Sequence, residues 1–363
     1  MNIRILISII LATIINGHQL ASAQNNEHTL FRSPTLSEDY IVFAYAGDLW
    51  RVNRDGGNAQ RLTTGIGEET EPYFSPDGGM VAFTSDYDGN TDVYVIPTLG
   101  GTPKRLTYHP GEDHVTGWAT DGKEVAFNSP RNSYANFLRL FTVSATSPQA
   151  PTQVDLPSVE RASYNETGTH LAYEPLNQWQ PNWKRYHGGQ QDIIWIANLD
   201  DASIEKVPHN DSSDTYPMWI DNKIYYLSDR GSEEGTVSLF SYDLGNKEIV
   251  QQLKNDGLDI KSASKGPNGY IVYEQFGTIH IFDVASGQSN KVDINVSADV
   301  VSARPGYINV GKNINNAHIS PTGKRALFEA RGDIFTVPVK NGDPRNITNT
   351  PGVMERSPAW SPD

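Results

Sequence analysis

A chain of 363 residues is long for one core and favours two domains, unless an all-β architecture stretches a single one. Its 29 Lys and Arg against 43 Asp and Glu leave a formal net charge of −14, which argues against a nucleic-acid partner, because phosphate contacts need clustered cations. With no cysteine there is neither thiol chemistry nor a disulfide framework, so the fold must hold itself together by burial.

The N-terminus, MNIRILISIILATIINGHQLASAQ, carries Arg4, an apolar run from Ile5 to Ile15, and the small-x-small pattern Ala21-Ser22-Ala23. The run is well short of the roughly 20 residues a membrane-spanning helix needs. It predicts a secretory signal peptide over 1–23 and export to the periplasm or the extracellular space, with an uncleaved anchor as the rival. No later stretch is apolar enough to span a bilayer.

From residue 71 the sequence reads as one complete unit, EPYFSPDGGMVAFTSDYDGNTDVYVIPTLGGTPKRLT. Pro72–Phe74 predicts a short strand, Ser75-Pro76-Asp77-Gly78 a turn, and Met80–Thr84 an apolar strand buried on both faces. A third strand at Asp92–Ile96 and a short outer one at Pro103–Thr107 complete the unit. Four antiparallel strands in such a unit describe a propeller blade.

The same pieces recur in order. A first copy precedes this one, with IVFAY at 41–45, GDLWRV at 47–52 and RLT at 61–63. Others carry GWATDGKEVAFNS at 117–129, ASYNETGTHLAYE at 162–174, YPMWIDNKIYYLSDR at 216–230 and GPNGYIVYE at 266–274. Phe74, Trp118, Tyr164 and Trp219 hold one equivalent place, where an aromatic fills the wedge between neighbouring blades. One unit cannot bury both faces of its sheet, so successive units must stack.

The pattern pauses at VVSARPGYINVGKNINNA, 300–317, and resumes with HISPTGKRALFEARGDIFTVP. The expectation is an all-β fold: a six-bladed β-propeller of four-stranded antiparallel blades over 27–300, followed over 301–363 by the start of a second, incomplete propeller. A single seven-bladed propeller ending near 350 is the rival. Against it, SPAWSPD at 357–363 opens another blade and stops inside its turn, which reads as a fragment.

Chemistry-bearing constellations are few. His109, Glu112, Asp113 and His114 invite a metal, but the spacing matches no ligand motif and reads as an ordinary polar loop. No Gly-x-Ser-x-Gly is present. Ser75, Ser320 and Ser361 sit in turns that their Pro neighbours explain, and Asp77, Asp121 and Asp363 recur where a turn wants a short acceptor. YHGGQ lacks the Lys-Ser or Lys-Thr of a phosphate loop. No catalytic, cofactor-binding or metal-ligating residue is therefore assigned. The insert EPLNQWQPNWKRYHGGQQD, 174–192, differs in kind, setting Trp179, Trp183 and Tyr186 beside Lys184 and Arg185. It reads as a contact surface for another subunit or another part of the polypeptide, as packing against its own blade, or as a peptide-capture loop.

The repeat units resemble those shared by the periplasmic TolB propeller and propeller-bearing serine peptidases. The opening LFRSPTLSEDYIVFAYAGDLWRVNRDGGNAQRLTTGIGEETEPYFSPDG, the insert NWKRYHGGQQDIIWIANLD and the segment RGDIFTVPVKNGDPRNITNTPGVMERSPAWSPD resemble, in this order, the tricorn protease family. The resemblance implies a large oligomeric serine peptidase in which two propellers, of six and seven blades, gate peptide entry and product exit. Its nucleophile and base lie in a catalytic half downstream, so this chain carries no catalytic residue and its partners are those domains and peptides. A TolB-like protein-binding propeller, or the propeller of a prolyl-oligopeptidase-type hydrolase, is the alternative.

Overall fold

The structure, a computed structural model, describes residues 30–135, 137–176, 186–255, 257–297, 308–350 and 353–362. Apart from one 3-10 turn at Pro267–Gly269, the regular elements among them are β-strands. The chain divides into two compact units, one of Thr29–Asp299 and one that contains Val300–Asp363.

Among the described residues the first unit holds six sheets, each built on four consecutive antiparallel strands, with a fifth strand added to the first. Sheet one comprises Arg32–Leu36, Tyr40–Tyr45, Asp48–Asn53 and Gly57–Arg61; sheet two comprises Glu69–Phe74, Met80–Ser85, Asp92–Pro97 and Lys104–Arg105. Sheet three runs through His114–Trp118, Glu124–Ser129, Arg139–Ser144 and Thr152–Gln153; sheet four through Ala162–Tyr164, His170–Tyr173, Trp195–Asn198 and Ile204–Lys206. Sheet five has Asp214–Ile220, Lys223–Ser228, Ser238–Asp243 and Ile249–Gln251; sheet six has Ile260–Lys265, Tyr270–Gln275, Thr278–Asp283 and Gln288–Lys291. Each resembles a propeller blade.

Local chemistry explains the repetition. Ser75-Pro76-Asp77-Gly78 closes with Gly78 N–H on the Ser75 carbonyl at 2.8 Å, while the Asp77 carboxylate takes the Gly79 N–H at 3.0 Å. The same turn forms at Ala119–Gly122, Asn165–Gly168 and Ser320–Gly323. Arg-Leu-Thr ends the outer strands of sheets one and two for a reason. Thr107 Oγ1 accepts the Val93 N–H at 3.0 Å and donates to Asp92 at 3.2 Å, and Arg105 pairs with Asp92 at 2.5 Å. In sheet one Thr63 does the same for the Leu49 N–H, at 2.8 Å.

The cores lie between sheets, because a strand alternates its side chains between two faces and here both are covered. Val81 and Phe83 pack toward Val42 and Leu49 of sheet one, whereas Ala82 between them packs toward Val125 and Phe127 of sheet three. Ala126 and Leu140 meet Leu171 and Tyr173, Ala172 meets Ile224 and Tyr226, and Tyr225 and Leu227 meet Ile271 and Phe282. The aromatic at the equivalent place helps join sheets: the Trp118 indole donates to the Tyr73 carbonyl at 2.9 Å.

The first strand of each sheet touches the first strand of the next, and that of sheet six touches that of sheet one. Near the end of the unit, Ile294–Val296 pairs in parallel with Gly57–Arg61. Gly56, at φ +92°, sits where a Cβ would come within 2.4 Å of the Asp293 carbonyl, and Gly57 donates to that same carbonyl at 2.8 Å.

Most first strands are bulged. Ser33, Glu71 and Tyr216, each followed by proline, hold positive φ of 46°, 52° and 55°. Non-glycine residues rarely adopt that region. A bulge re-aims a side chain, and here Glu71 and Tyr216 line the same cavity.

In the second unit Ile314–Ile319, Arg325–Ala330, Asp333–Pro338 and Arg345–Asn346 make one more four-stranded sheet. Leu327 and Ile334 are buried, whereas Ile314, Ile319 and Ile347 stand exposed.

Candidate functional site

The first strands surround a cavity of about 500 Å3 lined from five sheets of the first unit and from Glu160 and Arg161 just before sheet four, by residues such as Ser33, Glu71, His114, Arg161, Tyr216 and Ser262. A smaller cavity of about 70 Å3 shares Tyr73, Thr116, Arg161 and Tyr216 with it and reaches Lys265. Lys265 donates to the carbonyls of Tyr164 at 3.0 Å and Trp219 at 3.3 Å, and burial pulls its ammonium down to about 8.

Two charge networks meet in the larger cavity. His114 Nδ1 lies 3.1 Å from Glu71 and Nε2 lies 3.6 Å from Glu112. Burial alone would lower the imidazole, but the Glu71 and Glu112 carboxylates outweigh it and push it up to about 9. Glu71 is held below the usual carboxylate range: burial opposes this, and the bonds from His114 and from Thr84 at 2.9 Å prevail. The second network centres on Arg161, which pairs with the buried Glu174 at 3.1 Å and lies over the Tyr216 ring, 4.4 Å from its centroid. Burial raises Glu174 against the opposing pull of Arg161, and burial likewise raises Glu160.

The segment 109–114 read as a polar loop proves to be divided. His109 Nδ1 takes the Gly111 N–H at 2.9 Å, Asp113 pairs with Arg131, and only His114 and Glu112 line the cavity. His114 begins a strand rather than sitting in a loop. Among the described residues no group of three or more His, Cys, Asp or Glu stands where it could hold a metal ion. Ser75 donates to Asp77 at 2.6 Å and Ser320 accepts the Arg325 N–H at 3.1 Å, both inside their turns.

Of the insert, Trp179, Trp183, Lys184 and Arg185 lie outside the described residues, while Tyr186 is half-buried. Its hydroxyl lies against its own loop, where a Cβ on Gly188 would come within 2.5 Å of it. Apart from Glu112 and His114, which the sequence marks only as part of a polar loop, the cavity residues are not singled out from sequence. The one local signal was a residue before proline at the start of three units, in RSP, EP and YP.

Residues 28–288 match the tricorn protease N-terminal beta propeller domain. The chain is 29% identical over 336 residues to tricorn protease homolog 1 of Streptomyces coelicolor, covering 90% of this chain and 30% of that relative. It is 26% identical over 328 residues to the tricorn protease homolog of Saccharolobus solfataricus, covering 89% of this chain and again 30% of the relative. The crystal structure of the tricorn protease superposes with a TM-score of 0.67 at 20% identity, over 89% of this chain and 31% of that one. That likeness shows the fold, and the chain spans about 30% of the length of the curated relatives it matches. By the match over most of its length, the chain belongs to the tricorn protease family, as its N-terminal β-propeller portion.

Proposed function

We propose that the six sheets of 27–300 close into a β-propeller that guides peptides to or from a catalytic half carried elsewhere in a larger, exported, tricorn-like serine peptidase. Residues 301–363 then begin a second propeller, and 1–23 are removed on export. The observation that carries this reading is the cavity lined from five of the six sheets and from the two residues that lead into the other, in a chain that belongs to this family. Closure is supported where sheet six meets sheet one. The Phe31 N–H donates to the Gly277 carbonyl at 3.1 Å and Ser264 donates to the Pro34 carbonyl at 3.1 Å. Among the described residues no helix is long and apolar enough to cross a membrane.

A passage contributes access rather than transition-state stabilisation. The test compares the purified chain, the full-length parent and the parent lacking 27–300 on fluorogenic peptides of graded length. The chain alone should leave every peptide uncleaved, the parent should cleave them, and the deletion should change length preference more than turnover of the shortest peptide. Robust turnover by the chain alone, or equal loss on shortest and longest substrates, would reject the reading.

A further inference from the structure

Buried polar atoms in folded proteins are almost always partnered, and those that are not need a reason. Three that lack a partner line the same cavity: Thr116 Oγ1, Asn128 Oδ1 and Glu160 Oε2. Thr116 and Asn128 are themselves 5% and 4% exposed. They come from neighbouring elements, the first two strands of sheet three and the residue two before sheet four. Asn128 Nδ2 donates to the Glu160 carbonyl at 2.7 Å, which orients the amide and leaves Oδ1 as the free acceptor. The cavity's cations are already engaged elsewhere, Arg161 by Glu174 and His114 by Glu71 and Glu112.

Three oxygens that can all accept, a hydroxyl, an amide carbonyl and a carboxylate, suit a ligand that offers three donors and a positive charge. A primary ammonium has that inventory, with three N–H donors and no acceptor. We propose that Thr116, Asn128 and Glu160 form a subsite for the primary ammonium group of a peptide, either its free N-terminus or a lysine side chain. The ammonium follows from the three acceptors alone; that it belongs to a peptide rests on the peptide-guiding reading. The cavity's volume is within the range that holds small-molecule ligands. A bound cation would also offset the cost of keeping Glu160 desolvated, since burial there disfavours its charged form.

Calorimetric titration of the full chain with four probes tests this: n-butylammonium, Ala-Ala-Ala-amide, acetyl-Ala-Lys-Ala-amide and acetyl-Ala-Ala-Ala-amide. Butylammonium and at least one of the two cationic peptides should bind at millimolar concentration, and which peptide binds identifies the source of the ammonium. The uncharged acetylated peptide should bind at least about tenfold more weakly, the weight of one charge-assisted hydrogen bond. Glu160→Gln and Thr116→Val should each weaken the cationic probes about tenfold. Thr116 Oγ1 has no partner, so Thr116→Val loses no side-chain hydrogen bond and keeps the test valid should Glu160→Gln fold poorly. Binding of butylammonium with neither cationic peptide would support the subsite and reject the peptide reading. Absence of ammonium binding, equal binding of the acetylated peptide, or unchanged binding by both variants would overturn the proposal.

Discussion

The backbone N–H of Tyr216 donates to Glu174 Oε1 at 2.6 Å, joining the bulge of sheet five to the end of the second strand of sheet four. The same relationship recurs between Ser33 and Glu274 at 3.3 Å, and between Ser357 and Glu329 at 2.7 Å in the second unit. In all three the donor precedes a proline and holds positive φ, at 55°, 46° and 54°. A backbone state that costs energy by itself is held where a carboxylate distant in the sequence accepts its N–H.

Glu174 also holds Arg161 through its other oxygen. Removing the carboxylate leaves both the guanidinium and the Tyr216 N–H unpaired, so Glu174→Ala should cost about 3 kcal/mol in chemical denaturation. Glu174→Gln keeps an acceptor for Tyr216 and should cost less. Equal losses from the two would mean that charge alone matters.

The His114 pair makes stability depend on pH with a definite sign. Its folded pKa lies above the ordinary value of 6.5, at about 9. The folded state therefore binds the proton more tightly, and this contribution is full below about 6.5 and lost as pH rises through about 9. Glu71, held low, contributes above its ordinary value of 4.5 and loses that contribution as pH falls. Buried carboxylates such as Glu160 and Glu174 also lose stability on raising pH, so the informative quantity is a difference. The gap in unfolding free energy between wild type and His114→Gln should shrink from pH 6.5 to pH 9. A constant gap would show that the imidazole does not carry its charge in this window.

Gly56 tests the parallel seam between Gly57–Arg61 and Ile294–Val296. A Cβ there would overlap a backbone oxygen, not a movable side chain, and φ +92° adds strain. Gly56→Ala should cost upwards of about 1 kcal/mol, the usual penalty where positive φ is required. Amide exchange should rise first at Ile294–Val296. Protection there unchanged from wild type would place the strain elsewhere.

Thr107→Val keeps the shape of a buried side chain but leaves the Val93 N–H without its acceptor, at an expected cost of about 1–3 kcal/mol. Thr63→Val should behave alike through Leu49. Because the two hydroxyls serve different sheets, the double variant should show the sum within about 0.5 kcal/mol. A smaller combined loss would point to coupling between sheets one and two.

Sequence by itself determined the repeating sheet. Turn chemistry and strand alternation act between residues a few positions apart, so Ser75–Gly78 and Met80–Ser85 were legible in one copy and recognisable in the rest. The sequence predicts the strand before that turn over Pro72–Phe74, but it extends back to Glu69, because a bulge carries pairing past the proline. Sheet one likewise lost the Ser-Pro-Asp-Gly turn yet keeps its hairpin, with the Tyr40 N–H on Ser37 Oγ at 3.0 Å. What only the tertiary structure decided is the company each first strand keeps. Glu71 meets His114, and Glu174 meets Arg161 and Tyr216, across separations that no local periodicity encodes. Stacking places equivalent positions of successive units around one cavity, so a set of residues unremarkable within each copy acquires its chemistry from being gathered.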